Sequence, residues 1–181
     1  KRLYYENTLG RIFNIESKVS GSRGIPGDWR QKKAQGGGMI LDWGIHIIDQ
    51  ALMLMDDKEL DSVYCQVTNI TNDEVDDGFR AELRYKDGTT YHLYVGTSNF
   101  IEHPRWYVQG INGTAILRDW DMNGEIVMVT DWENKDAVPV QAGVGLTKTM
   151  APRTDDTIER HPLPYVENKG FSGEHTLYNN I

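Results

Sequence analysis

Phe79-Arg80-Ala81-Glu82-Leu83-Arg84-Tyr85-Lys86-Asp87-Gly88-Thr89-Thr90-Tyr91-His92-Leu93-Tyr94-Val95-Gly96-Thr97-Ser98 is the stretch that decides the fold. Phe79, Ala81, Leu83 and Tyr85 share one side of an extended chain, and Arg80, Glu82 and Arg84 share the other. Lys86-Asp87-Gly88-Thr89 reads as a tight turn, because Asp-Gly supplies the positive-φ geometry that a hairpin needs. Thr90–Ser98 then returns with Tyr91, Leu93 and Val95 aligned. Alternation of this kind predicts antiparallel strands with one face packed and one face open.

The same signals continue in both directions. Upstream, Val63, Cys65 and Val67 share a face of the run Ser62–Thr68, where Cys65 is expected as a small buried residue rather than a reactive thiol. Arg11–Ser20 has the β-favouring bulk of a strand in Ile12, Phe13, Ile15 and Val19. Downstream, Trp106–Gln109, Ala115–Arg118 and Glu125–Thr130 are punctuated by Asn112-Gly113 and Asn123-Gly124. Tyr4–Asn7 reads as a helix end with Gly10 as its stop, Gly21–Gly38 as a long loop, and Met39–Met55 as a helix. Ala137–Pro164 carries four prolines and few periodic signals, which predicts a long excursion, and Asn180-Ile181 resembles the start of another helix. The expected fold class is α+β: an open-faced, mainly antiparallel sheet of about six strands with helices on one face. The open face mixes aromatic and small residues with charge, which suits sheet-to-sheet homo-oligomerisation or a solvated surface.

Composition narrows the function. The chain has 181 residues, one domain's length, with 39% hydrophobic and 25% charged residues, values of an ordinary globular protein. A net charge of −8 with no basic stripe argues against nucleic acid. The short cluster Arg30, Lys32, Lys33 reads as a solvated loop or a local attractant for a polar or anionic substrate. One cysteine allows no disulfide framework, and no apolar run approaches the ~20 residues of a membrane span, so no membrane partner is expected and the cytoplasm is the default location.

Candidate chemistry lies in Gly36-Gly37-Gly38-Met39-Ile40-Leu41-Asp42-Trp43-Gly44-Ile45-His46-Ile47-Ile48-Asp49-Gln50. On an α-helix His46 lies about 40° from Asp42, with Asp49 about 20° to the other side. Three polar groups thus form a stripe on a helix otherwise apolar all round, which predicts a buried helix and a costly carboxylate–imidazole arrangement. Proton transfer suits that stripe, since a neighbouring carboxylate orients histidine and supports its charged form. Gly36, Gly37 and Gly38 let another backbone or a ligand approach closely. Two other readings fit the same spacing: Asp42 caps a late helix start while His46 makes a core hydrogen bond, or Asp42 and His46 share a cation. No metal is expected, because His92, His103, His161 and His175 are isolated in sequence and H-E-x-x-H is absent.

Gly36–Asp49 resembles the signature G-G-G-x-[LI]-x-D-x-G-x-H-x-x-D of the Gfo/Idh/MocA family, named for glucose–fructose oxidoreductase and inositol dehydrogenase. Weaker similarities follow in family order at Leu9–Ile12, Trp29-Arg30, Gly110–Thr114, Thr149–Arg153 and Thr176–Ile181. The resemblance implies a dihydrodipicolinate-reductase-like C-terminal domain spanning 1–181, serving substrate binding and oligomerisation. It implies a two-domain parent whose N-terminal Rossmann half holds NAD or NADP. It also implies hydride transfer at a carbinol or carbonyl carbon of a sugar or polyol. His46 is then similar to the family's acid/base with Asp42 beside it, while Trp29, Arg30 and Asp49 are candidate substrate contacts. Gly36, Gly37 and Gly38 are possible cofactor contacts. The chain has no G-x-G-x-x-G and no Glu-Lys-Pro, so on its own it is expected neither to bind the dinucleotide tightly nor to turn over. A non-catalytic binding or oligomerisation module of the same fold, and a metal-dependent hydrolase, are the competing readings.

Overall fold

The computed structural model describes residues 2–133, 139–142, 145–148 and 152–163. A four-residue helix, α1 (Arg2–Tyr5), leads into strand β1 (Ile12–Ser20). A long loop with two 3-10 turns, Trp29–Gln31 and Lys33–Gln35, reaches a π-helical turn, Ile40–Gly44, that runs directly into α2 (Ile45–Leu54). The strands β2 (Leu60–Thr68), β3 (Gly78–Tyr85), β4 (Thr90–Gly96), β5 (Trp106–Gly110), β6 (Gly113–Leu117) and β7 (Gly124–Val129) follow. A separate two-stranded pair, β8 (Pro139–Ala142) and β9 (Gly145–Lys148), precedes β10 (Ile158–Leu163).

Eight strands form one sheet in the order β10-β7-β6-β5-β1-β4-β3-β2. Every neighbour is antiparallel except β1 with β4, which run parallel. The β3–β4 hairpin is the one the alternation predicts, with Phe79 opposite Val95, Ala81 opposite Leu93 and Leu83 opposite Tyr91. Gly88 closes the turn at φ +86°, while Asp87 Oδ1 accepts from the Thr89 amide. The inward set Phe79, Leu83, Tyr91, Leu93 and Val95 is buried against Ile15, Ile47 and Ala51 in one core. The other face stays open and carries Arg80, Glu82, Arg84, His92 and Tyr94. The architecture is the open, mainly antiparallel α+β arrangement expected, with two strands more than six.

Several local expectations are corrected. Ala137–Pro164 is not structureless: among its described residues it forms β8, β9 and β10, and β10 adds an edge to the main sheet by pairing with β7. Its alternation was hidden because Ile158–Leu163 is half-exposed and interrupted by Pro162. Thr149–Ala151, Pro164 and Thr176–Ile181 lie outside the described residues, as does the helix start read at Asn180-Ile181. Cys65 is exposed, not buried. Val63, Cys65 and Val67 do sit opposite the buried Leu83, Ala81 and Phe79, but β2 is the outermost strand, so Val63 is 57% exposed.

The helix is not buried all round either. Gly44, Ile47, Ala51 and Leu54 pack on the sheet, whereas Leu41, Trp43, Ile45 and Leu52 face outward, because the single sheet covers one side only. Nor is it α-helical from Met39, since its first turn is π. Among the described residues, no helix is long and apolar enough to cross a membrane.

Two adjacent aspartates fix the approach to β3. Asp77 is 2% exposed and accepts from Thr68 Oγ1 and from the Ile70 and Thr71 amides and the Thr71 hydroxyl. Burial works to raise its pKa, but these hydrogen bonds outweigh it and hold the carboxyl below the usual range. Asp76 turns the other way, towards the helix start.

Candidate active site

The site takes its shape from that helix start. The Met39 amide donates to the Asp76 carbonyl at 3.1 Å, and the Ile40 amide donates to Asp76 Oδ2 at 2.9 Å, so Asp76 satisfies two amides that a helix N-terminus leaves open. Gly38, at φ +109°, makes this possible: a Cβ there would stand 2.3 Å from Asp76 Oδ1. A Cβ on Gly37 would stand 2.4 Å from the Arg30 carbonyl oxygen. The close approach that these two glycines permit is therefore to atoms of this same chain. Gly36, at φ +78°, has open space around it.

The Gly44 amide donates to the Met39 carbonyl at 2.8 Å and the Ile45 amide to that of Ile40, both i to i−5. This wider winding places Asp42 out of α-helical register with His46. The Asp42 side chain, 17% exposed, turns to Arg30, whose Nε donates to Asp42 Oδ2 at 2.8 Å. Arg30 Nη1 also donates to Asp28 Oδ2 at 2.7 Å, and the guanidinium lies 4.7 Å from the Trp29 ring centroid. The hydrogen bond to Asp42 foremost, with both carboxylates adding to it, raises the Arg30 pKa further. Among the described residues, no hydrogen bond or ion pair joins Asp42 to His46, so the expected carboxylate–imidazole contact is replaced by a carboxylate–guanidinium one. Asp42 Oδ1 has no hydrogen-bond partner among them.

His46 is exposed, with its ring edge-on to Trp43 at 6.0 Å. Asp49 is exposed nearly one turn further along α2. The parallel strands β1 and β4 end side by side at Ser20 and Gly96, and the loops beyond them open a cleft of about 580 Å³. Arg30 and Asp42 line it together with Arg23, Met39, Trp43 and Trp120. The structure thus unites two of the residues singled out from sequence, Arg30 and Asp42. It sets His46 beside the cleft through Trp43, and leaves Trp29, Asp49 and the three glycines outside the lining.

The sequence reading missed the aromatic wall. The Trp43 and Trp120 ring centroids lie 5.7 Å apart with planes tilted by 51°, and the Arg105 guanidinium lies 3.7 Å from the Trp120 ring centroid. Trp43 sat inside the quoted motif and read as one more apolar helix residue. Trp120 offered one signal, a lone indole between Asp119 and Asp121 in a polar turn, where no strand or helix pattern asks for it. The assembled groups are an imidazole open to solvent, a carboxylate with one free oxygen, a guanidinium that fixes it, and an aromatic wall. Chemically, the set offers one hydrogen-bond acceptor, one titratable ring and an apolar wall to a polar ligand. Among the described residues, no group of three or more His, Cys, Asp or Glu side chains converges to hold a metal.

Residues 1–116 match the GFO/IDH/MocA C-terminal domain. An NAD-binding protein from Listeria innocua is 47% identical with a TM-score of 0.79, the match covering 88% of this chain and 46% of that one. An oxidoreductase from Bacillus cereus shares the fold at 20% identity and a TM-score of 0.61, covering 71% of this chain and 44% of that one. The WlbA dehydrogenase from Bordetella pertussis, solved in complex with NADH and UDP-GlcNAcA, shares it at 22% identity and a TM-score of 0.54, covering 65% and 37%. No curated protein sequence gives a comparable match. The chain spans about half the length, 46%, of the Listeria protein.

Proposed function

Since this chain belongs to the GFO/IDH/MocA family through its C-terminal domain, we propose that it is the substrate-side half of an NAD(P)-dependent oxidoreductase acting on a carbinol or carbonyl carbon of a sugar or cyclitol. The dinucleotide is held by a separate N-terminal Rossmann domain, in keeping with the 46% of the Listeria NAD-binding protein that the chain spans. The single observation that carries the reading is that Asp42 lines a cleft with one carboxylate oxygen unpartnered among the described residues, next to a tryptophan that touches an exposed imidazole.

The side chains present fit a nicotinamide partner. His46 and one oxygen of Asp42 are open rather than sealed in the core, and Gly36 leaves space where a Cβ would stand. When bound, the nicotinamide supplies the hydride acceptor or donor. Asp42 Oδ1 accepts a hydrogen bond from a hydroxyl neighbouring the reacting carbon and so orients the substrate, while Arg30 keeps Oδ2 and fixes the carboxylate. A ring nitrogen of His46 takes the hydroxyl proton as the carbinol is oxidised, and returns it in the reverse direction. Trp43 holds the imidazole edge-on. The open sheet face, with its mixed Arg80, Glu82, Arg84 and Tyr94 surface, is the homo-oligomer contact.

Titration of NADH and NADPH into the 181-residue chain and into the two-domain protein tests the division of labour. Tight binding is expected only in the latter. A panel of sugars and cyclitols followed by nicotinamide absorbance then tests the chemistry: His46→Ala is expected to retain cofactor binding and lose turnover. Full turnover in His46→Ala would remove His46 from the chemistry, and no turnover of any sugar or cyclitol by the two-domain protein would leave the alternative, a non-catalytic binding or oligomerisation module of the same fold.

A further inference from the structure

Trp120 is 62% exposed, on the turn between β6 and β7, yet two side chains rest against it. The Arg105 guanidinium lies against it at 3.7 Å, and Trp43 leans on it at 5.7 Å. Arg105 is itself fixed, donating to the Lys18 carbonyl at 2.5 Å, and burial pushes its pKa down. Among the described residues it has no carboxylate partner, so its visible work is to hold the indole plane. A large ring kept in water and braced in one orientation is a surface prepared for contact, because covering it releases apolar area and bracing removes the entropic cost of fixing it.

The occupant is constrained by what surrounds the indole. The cleft, about 580 Å³, is of small-molecule size. Its lining is divided: Trp43, Trp120 and Met39 are apolar, whereas Asp42, Arg30, Ser20, Ser22 and Thr97 are polar. A ligand that matches has one apolar face and a rim of hydroxyls. A six-membered polyol in a chair has this form, since its C–H bonds gather on a face and its hydroxyls project at the edge. An open-chain polyol with the same hydroxyls presents no such face.

We infer that Trp120, braced by Arg105 and Trp43, is a stacking platform for the C–H face of a six-membered polyol ring, and that it makes this site select cyclic over open-chain substrates. The inference rests on reading the cleft as the substrate side, and adds to it a specificity-determining residue that takes no part in proton transfer.

The test uses the 181-residue chain with indole nitrogens labelled, titrated with myo-inositol, methyl β-D-glucopyranoside and sorbitol. Both rings are expected to shift the Trp120 indole resonance, with sorbitol at least about tenfold weaker. Trp120→Ala is expected to weaken ring binding about tenfold while leaving sorbitol unchanged, and Trp120→Phe to recover most of the loss. Trp120 is largely exposed, so these variants keep the fold. Equal binding of rings and sorbitol, no shift at Trp120, or ring binding indifferent to Trp120→Ala would each overturn the platform. Trp120-dependent ring binding without nicotinamide turnover in the two-domain protein would sustain the platform and refute the oxidoreductase reading instead. Turnover that does not distinguish rings from open chains would do the reverse.

Discussion

Gly38→Ala is the most demanding perturbation of the helix start, because two separate costs follow from one added methyl. The first is conformational: at φ +109° an L side chain is strained, at about 1–3 kcal/mol. The second is steric. The new Cβ would stand 2.3 Å from Asp76 Oδ1, and the Asp76 carbonyl is tied to the Met39 amide, so the carboxylate must leave its place. That removes the cap on the Ile40 amide, at about 1 kcal/mol. The sum is about 3 kcal/mol, which for a domain of this size is a fall in Tm of roughly 6–12 °C. Gly36→Ala is the control: φ is +78° and nothing lies nearby, so strain alone remains, about 1 kcal/mol. Denaturant unfolding of both variants, and of Gly38→Ala combined with Asp76→Ala, separates the costs. With the carboxylate gone, the steric part of the Gly38→Ala penalty is expected to disappear, giving a coupling of about 1 kcal/mol. A Gly38→Ala variant no less stable than Gly36→Ala, or no coupling with Asp76, would refute the reasoning.

Three further outcomes are expected. Arg30→Lys in the two-domain protein should behave like Arg30→Ala, with kcat/KM down about tenfold, because one ammonium cannot replace the separate Nε and Nη1 contacts to Asp42 and Asp28; wild-type kinetics in the lysine variant would contradict this. Asp77 has a folded-state pKa below its unfolded value, so its stabilisation is full above the ordinary aspartate range and is lost as pH falls through the depressed value. Asp77→Asn should therefore flatten the acid limb of the denaturation profile, and an unchanged limb would count against the role of its hydrogen bonds. Cys65 should react with a thiol reagent in the folded chain, more slowly near neutral pH than an unhindered thiol, since partial desolvation by its neighbours and then Asp76 raise its pKa; reaction only after unfolding would show β2 to be covered.

Much of the fold was legible because alternation survives wherever one sheet face is packed. Phe79–Tyr85 and Tyr91–Val95 carried it without interruption, and Asp87-Gly88 fixed their turn. β10 was not legible, since its pattern is weak and the strand it pairs with, β7, is distant in sequence only by way of a proline-rich segment. The exposure of Cys65 was hidden for a related reason: alternation says which face a residue points to, not whether a helix reaches far enough to cover that strand.

At the site, the Gly36–Asp49 spacing identified the segment, but its geometry assumed 3.6 residues per turn. The π-helical turn changed the partner of Asp42 from His46 to Arg30, and no sequence periodicity announces a single wide turn. Trp120 joined the cleft through tertiary packing alone, from a turn far along the chain.

The most direct test of the central claim is single-turnover nicotinamide reduction in the two-domain protein, comparing wild type with His46→Ala at saturating cofactor and a cyclic polyol. The account expects the chemical step to fall by about 100-fold or more, with cofactor affinity intact. An unchanged rate constant in His46→Ala would contradict it.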